Sequence, residues 1–113
     1  MLIFTVSNNG AVVLANGYTV TGGANYHWFA NNAGVINNGN TPITVTLTGT
    51  PAFTGAFAGA SALGLINPSS FITFSGSATG QRYITGSNGT VNTNGSGASY
   101  LPGSSAGSGS GYF

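Results

Sequence analysis

The side chains able to do acid–base, nucleophilic or metal chemistry are few: one histidine, one arginine and a scatter of serines. Asp, Glu, Lys and Cys are absent from all 113 residues. His27 stands between Tyr26 and Trp28. A zinc site asks for three or four donors, so a lone histidine would find them only if three copies met on a three-fold axis. A hydrogen-bonded histidine near a subunit boundary is the plainer reading. A serine with His27 as base lacks a carboxylate to orient the imidazole, and no serine lies in a G-x-S-x-G elbow; "GLINPSSF" does not qualify. Paired-acid hydrolysis, carboxylate cages for Mg²⁺ or Ca²⁺, Schiff-base lysines and thiolates are all missing. The expectation is a protein that is not an enzyme and that uses no metal or cofactor.

Arg82 is the one charged side chain. With no acid in its own chain it is left with main-chain carbonyls, an aromatic face such as Tyr83, or an acidic residue of another protein. One arginine makes no basic patch for phosphates, so nucleic acid is not an expected partner. Runs such as "GSGSG" open no helix and carry no G-x-x-x-x-G-K-[ST], so they are not phosphate loops. No apolar run nears the roughly 20 residues that span a bilayer, and no membrane partner is expected. Asn88-Gly89-Thr90 and Asn94-Gly95-Ser96 fit the glycosylation pattern. No signal-peptide pattern accompanies them, so composition alone explains the match. Without cysteine there is no disulfide framework.

Charged residues make up 1% of the chain, against roughly a quarter in ordinary soluble domains. The chain is nonetheless 41% hydrophobic and 12% aromatic, unlike a disordered segment, and is long enough for one domain. Copies so weakly charged repel one another little. A subunit embedded among protein neighbours tolerates that condition, which points to a multimeric structural protein.

Glycine and β-branched residues recur too often for long helices. Strands are expected at Leu2–Val6, Ala11–Ala15, Tyr18–Gly22, Asn25–Ala30, Ile43–Thr48, Ser70–Gly76, Gln81–Thr85 and Thr90–Thr93. In the fifth of these, Ile43, Val45 and Leu47 alternate with Thr44, Thr46 and Thr48, giving one apolar and one hydroxyl face. Asn-Gly pairs at 9–10, 16–17, 38–39, 88–89 and 94–95 suit the positive φ of type I′ hairpin turns. "RYITGSNGTVNT" is the clearest hairpin, with its turn at Gly86–Gly89. Short strands with evenly spaced turns predict an all-β fold: a single small antiparallel sandwich, or a jelly-roll or barrel-like domain. "AFAGASALGLINP" (Ala56–Pro68) reads as a connecting loop with an apolar plug. "GVINNGN" and "GTVNTNG" echo each other, but no fixed period links them, so the echo reads as shared turn chemistry.

Residues 1–94 form the β domain in this reading, and residues 95–113 a Gly/Ser-rich C-terminal arm. The arm holds Tyr100, Leu101, Tyr112 and Phe113, which makes it either a frayed terminus or a strap that lies down on a neighbour. Together with Trp28 and Phe29, which alternate across their strand, and Arg82, these residues are the candidate interface.

"GQRYITGSNGTVNTNGSGASYLPGSSAG", Gly80 to Gly107, resembles a segment of small proteins of tailed bacteriophages. In these a G-x-R-Y strand precedes a G-x-x-x-T-x-G-x-G-A-x-Y-x-P-G stretch. The matching positions are Gly80, Arg82, Tyr83, Gly89, Thr93, Gly95, Gly97, Ala98, Tyr100, Pro102 and Gly103, about a quarter of the chain. The resemblance implies a virion component with no catalytic residues: a capsid decoration (cement) protein, or a fibre or spike domain. A decoration protein would be a homo-oligomer, a trimer by preference, assembled in the host cytoplasm. It would sit on the capsid surface and bind the major capsid protein through buried area and strand or arm addition. Two other readings stand beside it. One is an ice- or carbohydrate-binding protein, which would need its Thr rows stacked on successive coils. The other is a self-assembling fibre subunit.

Overall fold

The computed structural model describes residues 3–113; Leu2, which opens the first expected strand, lies outside them. Within these residues the chain winds in coils. The first comprises β1 (Phe4–Val6), β2 (Ala11–Val13) and β3 (Tyr18–Val20). The second comprises β4 (Ala24–Ala30), β5 (Val35–Asn37) and β6 (Ile43–Leu47). The third comprises β7 (Ala52–Ala60), β8 (Leu65–Asn67) and β9 (Ile72–Ser75), and a partial fourth begins with β10 (Thr79–Thr85) and β11 (Thr90–Val91). Strands stack coil on coil into three sheets, ordered β1-β4-β7-β10, β2-β5-β8-β11 and β3-β6-β9. Every pairing between these strands is parallel. The fold is a three-sided parallel β-solenoid of about three turns. The expected antiparallel sandwich, jelly roll or barrel is therefore wrong, although the all-β character holds.

The reason lies in one corner. Asn8-Asn9, Asn32-Ala33, Ala62-Leu63 and Ser87-Asn88 are pairs with φ between 47° and 65°. In each, the glycine after the pair donates to the carbonyl before it: Gly10 to Ser7, Gly34 to Asn31, Gly64 to Ser61, Gly89 to Gly86. Positive φ at both central residues and that closing bond define a type I′ turn. The chemistry read from Asn-Gly was right at Gly86–Gly89, but the strands on either side, β10 and β11, belong to different sheets. The turn bends the chain round a corner, and the hydrogen bonds go to the coils before and after. Val35, Leu65 and Thr90 thus donate to Gly10, Gly34 and Gly64 of the preceding coil.

The stretch Ala56–Pro68, expected to be a loop, supplies the second half of β7, one of these corners, and β8. The echo of "GVINNGN" and "GTVNTNG" is a true structural repeat, since β5 and β11 lie in one sheet with β8 between them. Its period varies, which hid it: Phe4 aligns with Trp28, Trp28 with Ala58 and Ala58 with Tyr83, steps of 24, 30 and 25 residues.

Inside, like residues stack. Ile36 and Ile66 lie in register with each other and are fully buried, as is Val91 on the next coil. The wide part of the core is aromatic. Phe57 meets Trp28, Phe53 and Phe74 at centroid distances of 5.0, 5.4 and 5.6 Å, all edge-to-face, the arrangement ring quadrupoles favour.

The C-terminal segment lies on its own chain. Ser105, Ser108 and Tyr112 form parallel bridges to Gln81, Ile84 and Val91, adding a partial coil below β10 and β11. Leu101 is fully buried beneath it, and Tyr112 stacks on Tyr83 at 3.9 Å. The lower ends of the first two sheets are thus covered, while β9, the last strand of the third, receives only the Tyr100 hydroxyl at Ile72 O.

Candidate interaction surfaces

His27 lies inside the aromatic core, fully buried. Its Nε2 and the Tyr18 hydroxyl share a hydrogen bond of 2.8 Å, and Trp28 Nε1 donates to the same hydroxyl at 3.1 Å. Burial pushes the Tyr18 hydroxyl far above its ordinary range, and the Trp28 N–H offsets only part of that. The cluster holds the first coil to the second.

The candidate interface residues separate into two groups. Trp28 and Leu101 are fully buried, so both pack within the chain. Arg82 Nη1 donates to the carbonyls of Leu101 (2.6 Å) and Ser99 (3.3 Å), which is the first of the options open to it. Tyr100 donates to Ile72 O and sets its ring edge-on to Phe74; burial raises its pKa, as it does that of Tyr112. Arg82, Tyr100, Leu101 and Tyr112 together strap the lower end. Phe29 and Phe113 face outward, the latter 61% exposed.

Three surfaces remain for contact. The first is the upper end: β1, β2 and β3 are edge strands with no further strand beyond them among the described residues. Their residues are Phe-Thr-Val, Ala-Val-Val and Tyr-Thr-Val. Neither charge nor proline blocks them, although such residues are the usual guards against edge pairing. Val13 is 60% exposed there.

The second is the outer face of the third sheet. Ile43, Val45 and Leu47 are buried while Thr44 faces out, as the alternation predicts. The parallel register places Thr19, Thr46 and Ser75 in one row and Thr44 beside Thr73 in the next. Neighbouring strands are roughly 4.8 Å apart and alternate residues about 6.6 Å, so the hydroxyls form regularly spaced rows. The stacking that a fixed period did not reveal is present.

The third lies on the outer face of the first sheet. Ile3, Thr5, Asn25, Tyr26 and Phe29 line a shallow depression of about 330 Å³. A second depression, about 560 Å³, is polar and forms at the loop Gly86–Gly89 beside Phe113.

The chain matches no protein-family model, no curated protein and no solved structure.

Proposed function

We propose that the chain is a non-catalytic structural protein of a virion, a decoration (cement) subunit that seats on the assembled major-capsid shell and resists its opening. One observation carries the reading: an almost uncharged solenoid has two of its three sheets covered at one end by its own tail and leaves three unguarded parallel edges at the other. Edge strands of this kind recruit backbone partners by strand addition. A surface with a single arginine is suited to shape and amide bonding over ion pairing. The subunit works as a homotrimer on a shell junction, and many copies together raise the temperature at which the shell releases its contents. In the test, undecorated shells are incubated with the protein at about 0.1 M and about 1 M salt. Binding of equal extent at both is expected, because a contact without charges has nothing to screen. Binding by Val13→Lys should be lost, since it sets a charge on the open edge. Shells that ignore the protein, or release it in high salt, would defeat the proposal.

A second reading is favoured by the hydroxyl grid of the third sheet. A regularly spaced, uncharged array of Thr and Ser can hold water in a fixed pattern and so bind ice. Purified protein showing thermal hysteresis that disappears in Thr44→Lys and Thr46→Lys would support it; no hysteresis at millimolar protein would exclude it.

A further inference from the structure

The geometry points to a binding shelf for a neutral saccharide on the outer face of the first sheet, centred on β4, reaching the open edge only at Thr5 of β1, and apart from the hydroxyl grid. Its floor is two aromatic rings, Tyr26 and Phe29, with centroids 4.8 Å apart and planes tilted by 37°. Beneath them β7 has glycine at 55 and 59. A Cβ on Gly55 would stand 2.8 Å from Tyr26 Cζ; one on Gly59 would stand 2.6 Å from Tyr26 Cε1 and 3.0 Å from Phe29 Cδ1. Neither glycine has positive φ, so the backbone does not require glycine at either position. What these positions supply is room. The Tyr26 ring lies along β7 over both glycines, which leaves an aromatic surface turned outward.

The rim carries the other half of sugar recognition. Asn25 Oδ1 accepts a hydrogen bond from Thr54 Oγ1 at 3.2 Å, which fixes the amide. The Asn25 N–H groups and the Tyr26 hydroxyl have no protein partner among the described residues. Thr5 adds a hydroxyl on β1, and Ile3 closes the depression at its edge. An apolar floor with a few placed polar groups is how small-ligand sites are generally built. No ionisable group other than the Tyr26 phenol stands here, so an anionic or cationic ligand has no counter-charge. A pyranose fits instead: its C–H face covers the rings, and its equatorial hydroxyls reach amide and hydroxyl partners.

The test titrates cellohexaose, maltohexaose and chitohexaose into isotopically labelled protein and follows it by NMR. At least one sugar should give saturable shifts confined to Thr5, Asn25–Phe29 and Thr54–Gly59. Tyr26→Ala and Phe29→Ala should each weaken binding at least tenfold, with Tyr26→Phe weakened less. Asn25→Ala, an exposed change that leaves the floor intact, should weaken it severalfold and keeps the test valid if an aromatic variant misfolds. The shelf is refuted if none of the three sugars shifts these resonances. It is also refuted if the variants bind as the parent does, or if a proline-rich peptide alone titrates the same residues. The shell-binding test changes Val13 on β2 and this one Asn25, Tyr26 and Phe29 on β4, so either reading can fail while the other stands.

Discussion

Arg82 meets no carboxylate in its own chain, and its guanidinium settles on two main-chain oxygens of the segment that straps the lower end. Arginine suits this because its donors form a rigid fork. Arg82→Ala should lower stability by about 1.5–2 kcal/mol, the low end for a hydrogen bond to a charged donor because this one is partly exposed, and speed amide exchange at residues 99–103. Arg82→Lys should recover only part of that in a denaturant melt; full recovery would mean that charge alone matters. Tyr18 makes a different prediction. Its folded pKa lies above the unfolded value of 10.0, so from about pH 10 upward the folded state binds more protons than the unfolded one. Stability contributed below pH 10 is therefore lost as pH rises through that window, by up to about 1.4 kcal/mol per pH unit for this one group. Unfolding midpoints taken from pH 8 to 12 should fall above pH 10, and Tyr18→Phe should flatten the fall. Tyr100 and Tyr112, more exposed, add to it in the same direction.

At the element scale the solenoid depends on how closely its corners approach one another. A Cβ on Gly34 would stand 2.5 Å from Val6 O, and on Gly64 and Gly89 it would collide with Ala30 O and Ala60 O. Within one turn the contrast is sharp, because nothing lies within 4 Å of a Cβ on Gly86. Gly89→Ala should cost about 1–3 kcal/mol through the backbone shift it forces, and Gly86→Ala should be neutral or slightly stabilising. Equal costs in thermal melts would mean that flexibility, not contact, selects glycine here. Much of this level was legible in the sequence. The alternation of Ile43–Leu47 gave burial correctly, and the positive-φ pair at Ser87-Asn88 was marked by its Asn-Gly. Parallel pairing was not legible, because a type I′ turn is a local event and does not say which sheet the next strand joins. The corners "SNNG", "NNAG", "SALG" and "GSNG" share only their final glycine, and unequal coils defeat a search for one period. "AFAGASALG" failed for a related reason: its small residues read as loop, whereas Ala56, Ala58 and Ala60 are buried strand positions across from Tyr26, Trp28 and Ala30. Of the shelf, the sequence showed only that one of Trp28 and Phe29 faces outward, not which. Gly55 and Gly59 were not visible, since their purpose exists only once β4 and β7 lie side by side.

The whole molecule has two unlike ends, and the difference follows from where its residues are spent. At the bottom, residues 104–113 hydrogen-bond along β10 and β11 and cover Tyr83. This segment reads as a flexible tail from its Gly and Ser content, yet its small side chains are what let it lie flat. A Cβ at Gly107 would run into the Tyr83 ring and one at Gly109 into the Thr85 carbonyl. Removing residues 104–113 therefore exposes a second set of parallel edges beneath a core that stays strapped by Leu101 and Arg82. A particle with complementary open edges at both ends, and one charge in the chain to oppose contact, has a head-to-tail interface that does not close on itself. Such interfaces build filaments. The truncated protein should form concentration-dependent fibres visible by electron microscopy, while the full chain stays at a small defined size in sedimentation. Restoring the segment as Gly107→Val, which cannot lie against Tyr83, should give fibres as well. If the truncation sediments as the parent does, the tail is not what limits growth, and the lower edges are protected by the strap at residues 99–103 alone.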